Sequence, residues 1–238
     1  MKLKPILLSA VIALNGVMAA GCTDIEDAPA ETIDNTEIEI PEDCASVTAN
    51  GYVIERKNGV TYVDGIIIAN KTFTLPASYD PGISRDAVDS FMEMQRAAAA
   101  DGVSLYVISG YRSYYKQESV HSDWISIDGE EKADTYSARP GYSDHQTGYT
   151  YDINSCDQSF ANTPAAKWLA EHCVEYGFII RYPEGKEEYT GFTYEPWHIR
   201  WIGVEKAKII TGSGLSLEEY YGFPSSYDIS ADEFFGLE

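Results

Sequence analysis

Histidine is scarce in this chain: four in 238 residues, at positions 121, 145, 172 and 198. Two of them stand in segments dense with other polar groups. One segment is Ser143-Asp144-His145-Gln146-Thr147-Gly148-Tyr149-Thr150-Tyr151-Asp152; the other is Glu195-Pro196-Trp197-His198-Ile199-Arg200. Neutral imidazole and carboxylate together make a zinc ligand set, and a catalytic site uses three protein ligands and keeps a fourth position open. His145, Asp152 and His198 fill those three places. Glu195 lies three residues before His198. In an extended segment i and i+3 point to opposite faces, so Glu195 reaches the same site only through a bend. Pro196 suits one, because it fixes its own φ and restricts its predecessor. A carboxylate so placed takes a proton from water and later returns it to a leaving amine. Each pair alone is weak, since His-x6-Asp and Glu-x-x-His arise by chance on surfaces. Their combination carries the argument.

The elements that must position these groups are legible in outline. Tyr52-Val53-Ile54 and Thr61-Tyr62-Val63 flank Asn58-Gly59, the pattern of a small hairpin. Gly65 to Ala69 is an apolar run, and Lys71 to Leu75 alternates. Ser84 caps a helix over 85–100 that places Val88, Phe91, Met92 and Ala99 at helical spacing. Val103 to Ser109 is strand-like and ends at Gly110, and Ser113 caps a further helix to about Ser122. Thr163-Pro164 starts a helix, with Pro at the first helical position; Trp168, Leu169, His172, Cys173 and Tyr176 follow at i,i+4 spacing, and Gly177 closes it. Phe178 to Tyr182 and Tyr194 to Trp201 read as strands, and Gly203 to Ile210 as a short helix. Without a regular βαβα rhythm or a glycine-rich phosphate loop, the domain is expected to be α+β. His121 and His172 read as structural, and Arg139 and Arg200 as ion-pair partners. The acidic, aromatic tail from Leu215 to Glu238 reads as a cover for the domain edge.

Lys and Arg number 17 and Asp and Glu 38, a net charge of −21. Such a surface repels phosphate backbones and argues against nucleic-acid binding. Residues 1–21 have the make-up of an export signal, with Lys2 and Lys4, an apolar run from Ile6 to Leu14, and Ala19-Ala20-Gly21 before Cys22. Small residues directly before a cysteine resemble the bacterial lipoprotein cleavage box, with Ala19 where that box usually has a branched residue. The expectation is a lipid-anchored protein of the cell envelope, tethered through Cys22. Residues 22–43 carry nine acids and no base, an extended tether. Residues 44–238 then form the folded domain. Export permits a disulfide among Cys44, Cys156 and Cys173, and the sequence leaves the pairing open.

Ser-x-His-x-x-Gly-x-x-x-Asp, followed some 45 residues later by Glu-x-Trp-His, resembles the VanY-type D-alanyl-D-alanine carboxypeptidases. These zinc peptidases share a fold with the hedgehog amino-terminal domain and the D-alanyl-D-alanine dipeptidases. Ser109-Gly110-Tyr111-Arg112-Ser113 with Gln117, and Ala138-Arg139-Pro140-Gly141-Tyr142 leading into Ser143, resemble further motifs of that family. The likeness spans roughly residues 60–203; Thr150 stands where relatives often have Ala. It implies a small mixed or antiparallel sheet with flanking helices, Zn2+ on His145, Asp152 and His198, and Glu195 as general base and acid. It implies Arg112 over the scissile carbonyl, and Gln117 and Ser143 against the peptide end; Trp197 itself reads as a wall of the site rather than a chemical participant. The implied activity is removal of C-terminal D-alanine from peptidoglycan stem peptides. The alternatives are an L,D-carboxypeptidase acting on tetrapeptides, a crossbridge endopeptidase, and a non-catalytic cell-wall binding protein.

Overall fold

The computed structural model describes residues 44–237; the expected signal, the lipidated Cys22 and the acidic tether lie outside the described residues. The chain opens with an antiparallel meander of β1 (Cys44–Val47), β2 (Val53–Lys57), β3 (Val60–Val63) and β4 (Ile66–Ile68). Lys57 pairs with Val60 and Val63 with Ile66, so both inner turns have two residues. Asn58 and Gly59, and again Asp64 and Gly65, all take positive φ, the type I′ geometry that matches strand twist. The alternation of Lys71 to Leu75 does not become a strand. Asn70 accepts the backbone N–H groups of Thr72 and Phe73 on its Oδ1 and folds the segment into a turn.

A second antiparallel sheet has the order β5 (Val107–Ser109), β6 (Thr150–Ile153), β8 (His198–Trp201), β7 (Phe178–Ile180). Helix α1 (Arg85–Ala100), capped by Ser84, lays Ala87, Phe91, Met94 and Ala98 on one face of it. Helix α4 (Pro164–His172) adds Ala166, Trp168 and Leu169 to the same core. Thr163 caps α4, and the chain tightens into a 3-10 turn over Cys173–Tyr176 before Gly177 turns it into β7. The strand expected from Val103 shortens to three residues, because the Val103 N–H is drawn back to the Ala98 carbonyl. Helix α2 (Tyr114–Asp128), capped by Ser113, runs further than expected, to Gly129, and α3 (Glu130–Ala133) follows directly.

The remaining helices are α5 (Glu187–Thr190), α6 (Val204–Ser213), α7 (Leu217–Tyr221) and α8 (Ala231–Phe235). The tail covers the first sheet as expected: Leu217, Tyr221, Phe223, Ala231 and Phe235 pack with Ile54, Val63, Ile68 and Phe73. A capping box between Ser216 and Glu219 starts α7. The fold is α+β with small antiparallel sheets. Cys156 and Cys173 are thiols rather than disulfide partners. Among the described residues no helix is long and apolar enough to cross a membrane.

Candidate metal centre

Strands β6 and β8 divide their side chains by parity. Tyr151, Ile153 and Ile199 enter the core beneath α1 and α4, so the alternating positions face the other way. On that second face Asp152 lies directly opposite His198, and Thr150 opposite Arg200. Cross-strand partners have their Cβ atoms about 5 Å apart, which brings a carboxylate and an imidazole together without any loop.

His145 arrives from a different element, the 3-10 turn Asp144–Thr147 that leads into β6. Gly148 closes that turn at φ +83°, and a Cβ there would sit 2.2 Å from the Gly82 carbonyl oxygen; no other residue fits. The His145 Nδ1 hydrogen-bonds the Gly110 carbonyl at 2.8 Å, and the Arg112 N–H donates to the His145 carbonyl. With Nδ1 committed as donor, Nε2 keeps its lone pair and points at Asp152 Oδ2, 3.2 Å away. Such a partner on the other ring nitrogen fixes the tautomer of a metal-ligating histidine.

The expected bend before His198 is present and shortens the strand. Residues 196–197 form a turn and β8 begins only at His198. The His198 N–H closes the turn on the Glu195 carbonyl at 3.2 Å, which sets Glu195 Oε2 2.8 Å from His198 Nδ1. His198 Nε2 faces Asp144 Oδ2 at 3.8 Å. Ligand atoms of His145, Asp152 and His198 lie within 4.8 Å of one another, and all three residues are buried. Asp152 Oδ1 is also buried and accepts no hydrogen bond. Two nitrogens and a carboxylate oxygen with an orphaned lone pair fit a tetrahedral zinc ion with one open position.

The electrostatics ask for a cation at this point. Burial alone would strip the proton from His198, yet Asp144, Glu195 and Asp152 outweigh it and hold the ring up to about 9. Burial, with Arg112 and His198 nearby, lowers His145 and keeps it neutral against the pull of Asp152. Burial also works against an ionised Asp152, but His145, His198 and Arg112 prevail and hold its carboxyl well below the usual range. Burial raises Glu195, with His198 opposing, the direction a general base requires.

The other expected residues divide into two groups. Arg112 stands at the site, where its charge is felt by His145, Asp152 and Glu195. Its Nε is buried without a partner, and it makes no ion pair with any described residue, although the chain is strongly acidic. Gln117 is buried on α2, with its Nε2 on the Ala138 carbonyl at 2.6 Å and its Oε1 unused. Ser143 is buried just before the His145 turn. Trp197, expected as a wall of the site, is 6% exposed and packs in the core with Tyr151 and Phe160.

Arg139 pairs with Asp134, and Arg200 with Asp144, as their charge suggested. His121 is buried between Ser137 and Asp134, and His172 is partly exposed beside Glu175. Sequence reasoning missed Asp144 and Arg181, which back His198. Asp144 adjoins His145, and Arg200 follows His198 by two residues on one strand face, so period-2 reading alone could have joined this pair to the site. Cys156 was read only as a disulfide candidate. It is exposed at the edge of the site beside Asp152 and Glu195, and partial desolvation with these two acids pushes its thiol up to about 12.

Two imidazoles and a carboxylate gathered by a small antiparallel sheet and the turn that leads into it, with a second carboxylate and an uncommitted guanidinium alongside, define a zinc peptidase site. The family model for VanY, D-alanyl-D-alanine carboxypeptidase, matches residues 81–204. The chain belongs to this family of zinc-dependent hydrolases. It is 33% identical to the putative carboxypeptidase YodJ of Bacillus subtilis (strain 168), over 90% of this chain and 94% of that one. The structure of the LdcB LD-carboxypeptidase covers 73% of this chain and 96% of its own, at 41% identity and a TM-score of 0.67. A variant of the D,D-pentapeptidase VanY from a VanB-type vancomycin-resistance cassette, solved with Zn(II), covers 65% of this chain and 97% of its own, at 35% identity and a TM-score of 0.59.

Proposed function

We propose that this chain removes the C-terminal D-alanine from peptidoglycan stem peptides that end in D-Ala-D-Ala, with Zn2+ held by His145, Asp152 and His198. One observation carries the reading: beside the three-ligand cluster stand both a base, Glu195, and a cation, Arg112, that no ion pair consumes. A binding module needs neither. Bound zinc supplies Lewis-acid polarisation of the scissile carbonyl and a lowered water pKa. Glu195, raised by burial, accepts the proton of the attacking water and delivers it to the departing D-alanine amine. Arg112 neutralises the oxyanion as it develops, a role worth several kcal/mol in a water-poor site. Gln117, with its unused Oε1, and Ser143 receive the peptide end.

Cleavage of tetrapeptides ending in a single D-alanine is the second reading, supported by the higher identity and TM-score to the LD-carboxypeptidase. Mass spectrometry of both peptides, with and without a chelator, tests the two. Chelator-sensitive loss of alanine from the pentapeptide supports the first, and loss only from the tetrapeptide replaces it by the second. Glu195→Gln is expected to bind zinc and lose turnover; retained activity would sink the mechanism. The substrate is extracytoplasmic, and residues 1–22 supply a matching address and an anchor point at Cys22. The intact mass of membrane-extracted protein tests this: a chain beginning at a diacylglyceryl-modified Cys22 supports anchoring, and an unmodified terminus refutes it.

A further inference from the structure

His198 has a carboxylate at each ring nitrogen, Glu195 at Nδ1 and Asp144 before Nε2. Its carbonyl accepts the Arg181 N–H at 2.9 Å, but its Nε2 has only Asp144 in front of it and makes no short hydrogen bond. With Nδ1 given to a metal, the outer partner that orients the ring is the Asp144 carboxylate, and its own placement then matters. Arg200 Nη1 donates to Asp144 Oδ1 at 2.6 Å and Thr150 Oγ1 to Oδ2 at 2.8 Å. On the remaining side lies Arg181 Nε, 3.7 Å from Oδ2 and itself without a hydrogen bond.

Arg181 stops short of Asp144 because its other two nitrogens are taken. Nη1 and Nη2 make a bidentate pair with Glu218 on α7 at 2.8 and 2.6 Å. Asn70, from the turn after the first sheet, donates to the same carboxylate at 3.2 Å. Arg181, Glu218, Asp144 and Arg200 are all 2% exposed or less. Two arginines and two carboxylates thus form a closed, charge-balanced row leading from the tail to the ring of His198. Glu218 and Asn70 both lie outside residues 81–204, the part of the chain that the family model matches.

We infer that Glu218 and Arg181 are positioning residues for the metal site: the bidentate pair keeps Arg181 from capturing Asp144, so that this carboxylate remains the partner of His198 Nε2. The inference rests on the zinc reading proposed above and extends it to α7. With the Glu218 charge removed, a buried guanidinium is left with Asp144 as its nearest anion. Arg181 then turns to Asp144 and draws it away from the imidazole. Loss of such an outer partner commonly weakens metal affinity 10- to 100-fold.

The test compares Glu218→Gln with Glu219→Ala. Glu219 caps the same helix and pairs with Lys186 but does not touch the buried row, so its loss reports on α7 stability alone. Zinc affinity is measured by chelator competition, ligand geometry by the visible spectrum of the cobalt(II)-substituted protein, and stability by thermal unfolding of the metal-free protein. Glu218→Gln is expected to weaken zinc 10- to 100-fold and shift the cobalt bands, lowering kcat at saturating zinc while KM holds. Glu219→Ala is expected to lower the melting temperature and leave zinc affinity and spectrum unchanged. The paired variant Arg181→Met with Glu218→Leu removes the orphan charge and so recovers stability, and with no guanidinium left to capture Asp144, which Arg200 and Thr150 still hold, its zinc affinity and cobalt spectrum are expected to return toward those of the parent. Equal zinc affinity and spectra in Glu218→Gln and the parent would overturn the inference, as would an equal loss in Glu219→Ala. A parent chain that binds no zinc would instead overturn the functional reading itself.

Discussion

Replacing Gly148 by alanine should damage the protein in two separable ways. The residue sits at φ +83°, where a side chain costs about 1–2 kcal/mol. The new Cβ would also stand 2.2 Å from the Gly82 carbonyl oxygen and 3.4 Å from the Ser84 nitrogen. Backbone on both sides must yield by roughly an ångström, an overpacking cost of about 1–3 kcal/mol. Together these give about 2–5 kcal/mol, which for a domain of this size lowers the melting temperature by about 4–20 °C. Gly65 supplies the control: its φ is +75° but nothing lies within 4 Å of its Cβ position, so alanine there bears only the dihedral cost. Thermal unfolding of both variants after chelator treatment measures the difference. Because the 3-10 turn ahead of Gly148 carries His145, zinc affinity should fall in Gly148→Ala and hold in Gly65→Ala. Equal stability losses in the two, or a Gly148→Ala loss under 1 kcal/mol, would refute the steric argument.

Metal analysis should find about one zinc per chain in the parent and none in His145→Ala or His198→Ala; a variant that retains zinc would remove that residue from the ligand set. Arg112→Met should keep its zinc and lose about 10²–10³ in kcat/KM, and a loss below threefold would exclude a role at the oxyanion. Arg200→Met leaves the fully buried Asp144 short of its closest cation and should cost about 3–5 kcal/mol, read by denaturant unfolding. Burial opposes ionisation of Asp144, but Arg200, His198 and Arg181 hold its carboxyl well below the usual range. Its stabilising contribution is therefore full above about pH 4 and lost as pH falls through the lowered folded value. Acid unfolding of metal-free Arg200→Met should show a shallower dependence there; an unchanged acid limb would count against the pairing.

The residues that do chemistry were more legible than the elements that carry them. His145, Asp152, His198 and Glu195 could be found because histidine is rare and the spacings are specific, and Pro196 marked the bend that brings Glu195 to the metal. Local signals also worked where they act alone: the Ser84, Ser113 and Thr163 caps, Asn58-Gly59 and Gly177. The strand starts at Val103 and Tyr194 were misread because competing hydrogen bonds, to Ala98 and within the Glu195–His198 turn, are not written in hydrophobic pattern. The row from Asp144 through Arg181 to Glu218 was invisible for another reason. Its members are distant in sequence, and a lone Arg or Glu in an acidic chain looks like solvated surface until the fold buries it.

The three ligands come from a short turn and from two strands, and the chain between Asp152 and His198 contains α4, β7 and α5. A metal that joins these two residues closes that whole stretch into a loop, as a covalent staple would, and narrows the freedom of the unfolded chain. Since the unfolded chain has no preformed site, ion binding adds to folding free energy, about 2.7 kcal/mol when free zinc is a hundredfold above its dissociation constant. A zinc ion bound there would thus act as a reversible cross-link across that stretch as well as preparing the reaction. Resistance to heat and to proteases should rise and fall with the zinc supply.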